Sequence, residues 1–191
     1  MLDERAAREA TRTTPDANSV TKTGGARANR LEAGVRRLAG WRRYLLAFGA
    51  GAISTLALAP LHLWPVMFAT LPVIVWLLDG IVARAPTFAA RLRGAAILGW
   101  WFGFGYFFAS LYWIGFAFFV QAEQFAWMSP LGILGMPVGL ALFYALALAV
   151  ASAVWRPGPA RIFVFALAFF AVELLRGHIL TGFPWNAIGY T

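Results

Sequence analysis

Cysteine is absent from the 191 residues, histidine occurs twice, and Asp, Glu, Lys and Arg together make up only 13%. Without a thiol the chain forms no disulfide, no thiolate metal site and no cysteine nucleophile of its own. So little charge excludes an ordinary soluble domain, in which about a quarter of the residues are charged. Also missing are a glycine-rich phosphate loop, a CxxC pair and an HExxH helix. No metal or cofactor is expected from these residues.

What fills the chain instead is apolar. Hydrophobic residues reach 61% and aromatics 16%, and the mean hydropathy is +0.69. The expected class is an all-α integral membrane protein. The net charge of +8 raises nucleic acid as a partner, but its distribution argues against that. Ten of the sixteen Lys and Arg precede Tyr44. They form a basic arm beside an apolar run, the usual signal of membrane topology and not of a binding stripe. No nucleic-acid partner is expected.

Residues 1–40 mix Arg, Ala, Thr, Asp and Gly without periodicity and are too polar to build a core, so they read as a disordered cytoplasmic arm. A weak helix over 29–41 is the alternative. Residues 41–182 read as a polytopic bundle of about five transmembrane helices, near 44–59, 63–82, 94–120, 130–154 and 162–180. The first run, preceded by Arg36-Arg37 and Arg42-Arg43, has the look of a signal peptide. Pro60 just after the potential cut and the further apolar runs favour a retained first span. Pro72 is expected to kink the second. Arginines flank alternate loops: Arg84, Arg91 and Arg93 after the second span, Arg156 and Arg161 after the fourth. The loop 121–129 carries only Glu123. The positive-inside rule then places the amino terminus in the cytoplasm and residues 183–191 at the start of a segment on the opposite side.

The third span holds twelve aromatics between Trp100 and Phe119. Gly99 and Gly103 share a helix face and predict close approach of a neighbour, and Gly135 and Gly139 repeat the spacing. Plain helix packing is the first reading, and the sharper alternative is that the aromatic wall lines a slot for an acyl chain. The polar residues are few. Ser54, Ser110, Ser129 and Ser152 lack the base and carboxylate that activate a serine. His62 sits in a turn, and His178 lies on a different face from Glu173. No catalytic residue is assigned. The best polar pair is Glu173 and Arg176, three apart on one helix face. Intramembrane charges mark substrate or ion paths by default, though they also pair structurally. Gly182-Phe-Pro-Trp185 follows, able to end the helix and set an indole near the membrane surface. Glu173, Arg176 and Trp185 are the candidate lipid-binding residues.

Leu56 to Pro65, Gly99 to Phe107 with Tyr112-Trp113, Glu173-Leu-Leu-Arg176-Gly177, and Leu180 to Trp185 with Gly189-Tyr190 together resemble the amino-terminal part of the apolipoprotein N-acyltransferases. The likeness covers residue 44 onward and is most specific in its last stretch. It implies about eight membrane helices and a periplasmic nitrilase-like domain with a Glu-Lys-Cys triad, in the bacterial inner membrane. It implies transfer of an acyl chain from a phospholipid donor, through a cysteine thioester, to the amino group of a diacylglyceryl lipoprotein acceptor. Membrane lipids would be the remaining partners. This chain has no cysteine, so the resemblance reads it as a fragment of such an enzyme, inactive alone. The rival reading is a small polytopic membrane scaffold or transporter subunit without enzymatic activity.

Overall fold

The computed structural model describes residues 29–120, 122–179, 186 and 188, and among these it is all helical, with no strand. Residues 1–34 form one unit and Val35 onward a second. In the first unit residues 29–34 are helical; the rest of the basic arm lies outside the described residues. Residues 35–37 of the second unit are helical too. An arm without structure as far as residue 40 is therefore corrected for 29–37.

Five long helices make up the second unit: α1 (Trp41–Ser54), α2 (Met67–Arg84), α3 (Phe88–Leu111), α4 (Met136–Ala153) and α5 (Ala160–His178). Glycines begin two of the turns. Gly40 at φ 61° precedes α1, and Gly158 at φ 113°, between Pro157 and Pro159, precedes α5; side chains are strained at such angles. Three stretches are long and apolar enough to cross a membrane: Trp64–Arg84, Phe88–Leu111 and Leu131–Ala153. Neither α1, with 14 residues, nor α5, which carries Arg161, Glu173 and Arg176, belongs to that set.

Four boundaries differ from expectation. The first helix begins at Trp41 and closes at Ser54, with a 3-10 turn over Thr55–Ala57. The second runs unbroken through Pro72. The third starts six residues before 94, because the Thr87 hydroxyl accepts the Ala90 N–H at 3.1 Å and caps it. It also stops at Leu111 instead of 120. There the chain turns, and a short helix, Ile114–Ala117, packs on the π-helical turn Leu131–Gly135. A Cβ on Gly115 would meet the Ile133 side chain, and one on Gly132 the Phe118 ring. The π turn precedes Pro137, which has no N–H to give the carbonyl four residues back.

The third helix is central. It packs most extensively on α4, then on α1, while α2 lies against α1 and α3, and α5 against α4. Its buried positions, from Ala95 through Phe102 and Tyr106 to Leu111, leave the face of Trp101, Phe104 and Phe108 half-buried, as fits a helix packed on several others. Glycine permits this. A Cβ on Gly99 would strike the Tyr144 carbonyl, and one on Gly103 would sit 2.9 Å from Tyr144 Cβ. The α1 seam works alike: Gly51 faces the Phe102 carbonyl and Gly105 the Phe48 carbonyl. The second expected pair does not do this, since a Cβ on Gly139 would meet nothing within 4 Å.

The outer surface is apolar as well. On α5 the exposed Phe163, Leu167, Phe170 and Leu174 form one stripe, and on α4 Val138, Leu142, Leu146 and Val150 form another. Stripes of this kind at helical spacing, facing away from a packed core, suit hydrocarbon and not water.

At the arginine-rich end a polar clamp ties five segments together. Asp79 of α2 is 5% exposed. It accepts from Trp155 Nε1 at 2.8 Å and from Arg161 of α5 at 2.5 Å. Arg91 of α3 donates to the Trp155 carbonyl at 3.0 Å. Arg84 donates to the Arg36 and Leu38 carbonyls at 2.7 and 3.0 Å. These arginines, read from sequence as loop charges, also fix the helix ends. A buried carboxylate is tolerated when paired and hydrogen-bonded in this way.

Candidate functional site

The other polar cluster lies near the end of α5. Glu173 and Arg176 are three residues apart, which puts both side chains on one face. They meet: Arg176 Nη2 donates to Glu173 Oε2 at 2.5 Å. The guanidinium is almost completely enclosed, at 2% exposure, whereas the Glu173 side chain retains 15%. Glu173 is thus the more accessible partner.

Two other helices hold the pair. Tyr144 of α4 donates its hydroxyl to Glu173 Oε1 at 2.8 Å, so both carboxylate oxygens are engaged. The Arg176 guanidinium carbon stands 5.2 Å from the centre of the Phe107 ring on α3, within reach of a cation–π attraction. Tyr106, the next residue on α3, donates to the Asn186 carbonyl at 3.0 Å and thereby ties the segment after α5 to the bundle. The rings of Tyr106, Phe107, Phe102 and Phe169 all surround Tyr144, with centroids 5.1–5.8 Å away. A tyrosine held on this many sides has one place to put its hydroxyl, and that place is the carboxylate.

The pair marked from sequence is therefore real. The third candidate, Trp185, lies outside the described residues. Tyr106, Phe107 and Tyr144 were not singled out by sequence as polar-site residues. A signal did exist: Tyr144 and Ser152 are the only polar-tipped residues of α4. The aromatic wall proves to be divided. Phe102, Tyr106 and Phe107 are buried against α4 and α5, while Tyr112, Trp113, Phe116 and Phe119 are exposed.

Among the described residues the remaining polar side chains bond locally. Ser54 is bonded to Thr70 Oγ1 at 2.7 Å, Ser110 to the Phe107 carbonyl and Ser152 to the Ala149 carbonyl. His62 is exposed in its turn, and His178 Nδ1 lies 2.8 Å from the Leu174 carbonyl. Among the described residues no group of three His, Asp or Glu side chains stands where it could hold a metal ion.

A sequence family described as the apolipoprotein N-acyltransferase N-terminal domain matches residues 50–191. The chain belongs to the apolipoprotein N-acyltransferase family. An apolipoprotein N-acyltransferase of Rhodopseudomonas palustris is 50% identical over 165 residues, covering 85% of this chain and 30% of the relative. That of Brucella melitensis is 51% identical over 162 residues, 84% of this chain and 30% of the relative. One from Rhizobium etli is 51% identical over 152 residues, 79% of this chain and 28% of the relative. The chain thus spans about 30% of the length of these relatives and corresponds to the family's amino-terminal domain. The buried pair, its tyrosine and the glycine seam all fall within the matched stretch.

Proposed function

We propose that this chain is the lipid-holding membrane part of an enzyme that moves an acyl chain from a phospholipid to the amino group of a diacylglyceryl-cysteine on a bacterial lipoprotein. The observation that carries the reading is the Glu173–Arg176 pair, buried at the end of α5 and locked by Tyr144. In hydrocarbon such a pair is expensive, and where one is kept it marks a substrate path by default. Family membership supplies the chemistry. This chain has no cysteine, so the thioester step belongs to a further domain, and the chain by itself is expected to be inactive.

Its part in the reaction is positional. Both substrates arrive sideways through the bilayer, and a pocket for them needs apolar walls with a few placed polar groups. The cluster around Tyr144 has that composition. Glu173 is the group that meets a head group or the acceptor's polar end, and Arg176 is a positioning residue acting through Glu173. Trp185 is the third residue proposed to contact lipid. Five crossings fit the alternation of arginine-rich and arginine-poor turns. On that reading the basic arm is cytoplasmic and residues 183–191 emerge on the periplasmic side of the inner membrane. α1 rises only about 21 Å, and the anchoring Trp41 and arginines compensate for its shortness.

The test uses a full-length relative carrying Arg176→Ala or Trp185→Ala at the corresponding positions. Acyl transfer to a lipoprotein is expected to fall at least about tenfold, as for loss of an interaction of about 1.4 kcal/mol or more in the transition state, with membrane abundance unchanged. Normal transfer by both variants would remove the reading.

A further inference from the structure

A groove of about 500 Å³ runs between α1 and α2, away from the cluster at Glu173. Leu45, Gly49 and Ile53 of α1 line it, spaced four apart on one helix face, with Val73 of α2 opposite. Its wall is apolar apart from Thr70, whose hydroxyl is taken up by Ser54 at 2.7 Å, and from Trp41 and Arg42 at one end. No acidic side chain lines it. Arg43 follows, its guanidinium 5.1 Å from the centre of the Tyr44 ring. Arg36 and Arg37 lie just before in the chain, so four arginines fall within eight positions without an intervening carboxylate.

Size decides the kind of occupant. From Trp41 to Ile53 are twelve helical steps, or about 18 Å at about 1.5 Å each, somewhat more than half of a hydrocarbon core about 30 Å thick. A long, narrow apolar groove open along one side suits a single extended hydrocarbon chain. An indole at the rim is the usual marker of the level where head groups begin. The guanidinium beside it is complementary to a phosphate.

We infer that the α1–α2 groove holds one acyl chain of an anionic glycerophospholipid, with the head group at Arg42. This goes beyond the acyl-transfer reading and does not rest on it. The site lies at the arginine-rich end and involves neither Glu173 nor Arg176. The surrounding arginines repel a head group that carries its own ammonium, so a lipid with net negative charge is preferred.

Gly49 makes the groove testable, because a Cβ there meets nothing within 4 Å. Gly49→Leu therefore fills the groove without striking the fold. Gly139→Leu, also into open space but on α4, is the control. The full 191-residue chain is purified in mild detergent and titrated with dipalmitoyl phosphatidylglycerol or dipalmitoyl phosphatidylethanolamine, and retained lipid is counted by native mass spectrometry. The unaltered chain and Gly139→Leu are expected to retain one phosphatidylglycerol in several-fold preference over phosphatidylethanolamine. Gly49→Leu is expected to lose about five-fold or more of that binding at an unchanged unfolding temperature. Arg42→Gln is expected to bind both lipids alike. Undiminished phosphatidylglycerol binding by Gly49→Leu would overturn the inference. So would equal losses in Gly49→Leu and Gly139→Leu, or equal binding of the two lipids by the unaltered chain. Loss of a dimer in Gly49→Leu, in place of a lipid, would assign the groove to a second copy and overturn it too.

Discussion

Replacing Glu173 with leucine while Arg176 stays is expected to cost about 3–5 kcal/mol, the penalty for removing one member of a buried ion pair. The guanidinium is 2% exposed, so solvent cannot take over from the lost carboxylate. The Tyr144 hydroxyl loses its acceptor in the same step. Arg176→Leu alone is expected to be milder, since Glu173 keeps the Tyr144 hydroxyl and is 15% exposed. The double variant Glu173→Leu/Arg176→Leu should be milder than Glu173→Leu, because swapping a whole buried pair for apolar side chains is often neutral or stabilising. Thermal unfolding of the four proteins in detergent checks the order. The order also separates two roles. A pair that serves stability would leave the double variant well below the unaltered protein. A pair kept for a substrate leaves a double variant that is stable and, within a full-length relative, inactive.

Gly99→Ala adds one methyl group and is expected to destabilise the bundle by about 1–3 kcal/mol or more, as overpacking does. The added Cβ would strike the Tyr144 carbonyl oxygen. Backbone cannot rotate away as a side chain can, so α3 and α4 must separate. The same substitution at Gly139 meets nothing within 4 Å and should be neutral or stabilising by up to about 1 kcal/mol, the usual preference for alanine over glycine within a helix. Unfolding temperatures of the two single variants make the comparison. Separation at Gly99 has a second effect, because Tyr144 is also the residue that holds Glu173. Gly99→Ala in a full-length relative is therefore expected to lose acyl transfer along with stability, although it touches no candidate substrate group.

The apolar runs were legible in the sequence, and so was one polar pair. The fourth span, expected at 130–154, is found over Leu131–Ala153, because Pro130 and Arg156 bracket an uninterrupted run. The third span was misjudged at both ends for physical reasons. Arg91 and Arg93 look like loop residues, yet α3 includes them, and Arg91 reaches the Trp155 carbonyl. Beyond Leu111 the aromatic composition continues while the helix does not, since hydrophobicity does not register a turn. Glu173 and Arg176 were visible because three-residue spacing on a helix is local information. Tyr144 donates across 29 positions and Arg161 across 82. No period in the sequence encodes such distances; they follow from how α2, α4 and α5 pack. The Gly99–Gly103 and Gly135–Gly139 pairs show the same limit. They read alike in sequence, but only the first faces a neighbouring helix among the described residues.

The absence of cysteine supplies the most direct test of the membrane arrangement on which the proposed site depends. A single cysteine introduced at Arg156, exposed in the turn before α5, or at Glu123, exposed before α4, is the only thiol in its protein. Intact bacterial cells, with the outer membrane made permeable, are treated with a thiol reagent that cannot cross the inner membrane. Glu123→Cys is predicted to label at once, and Arg156→Cys only after the inner membrane is disrupted. Labelling of both from the same side would contradict the account, because α4 would then fail to cross between the two positions and the proposed site would lose its place at the outer surface.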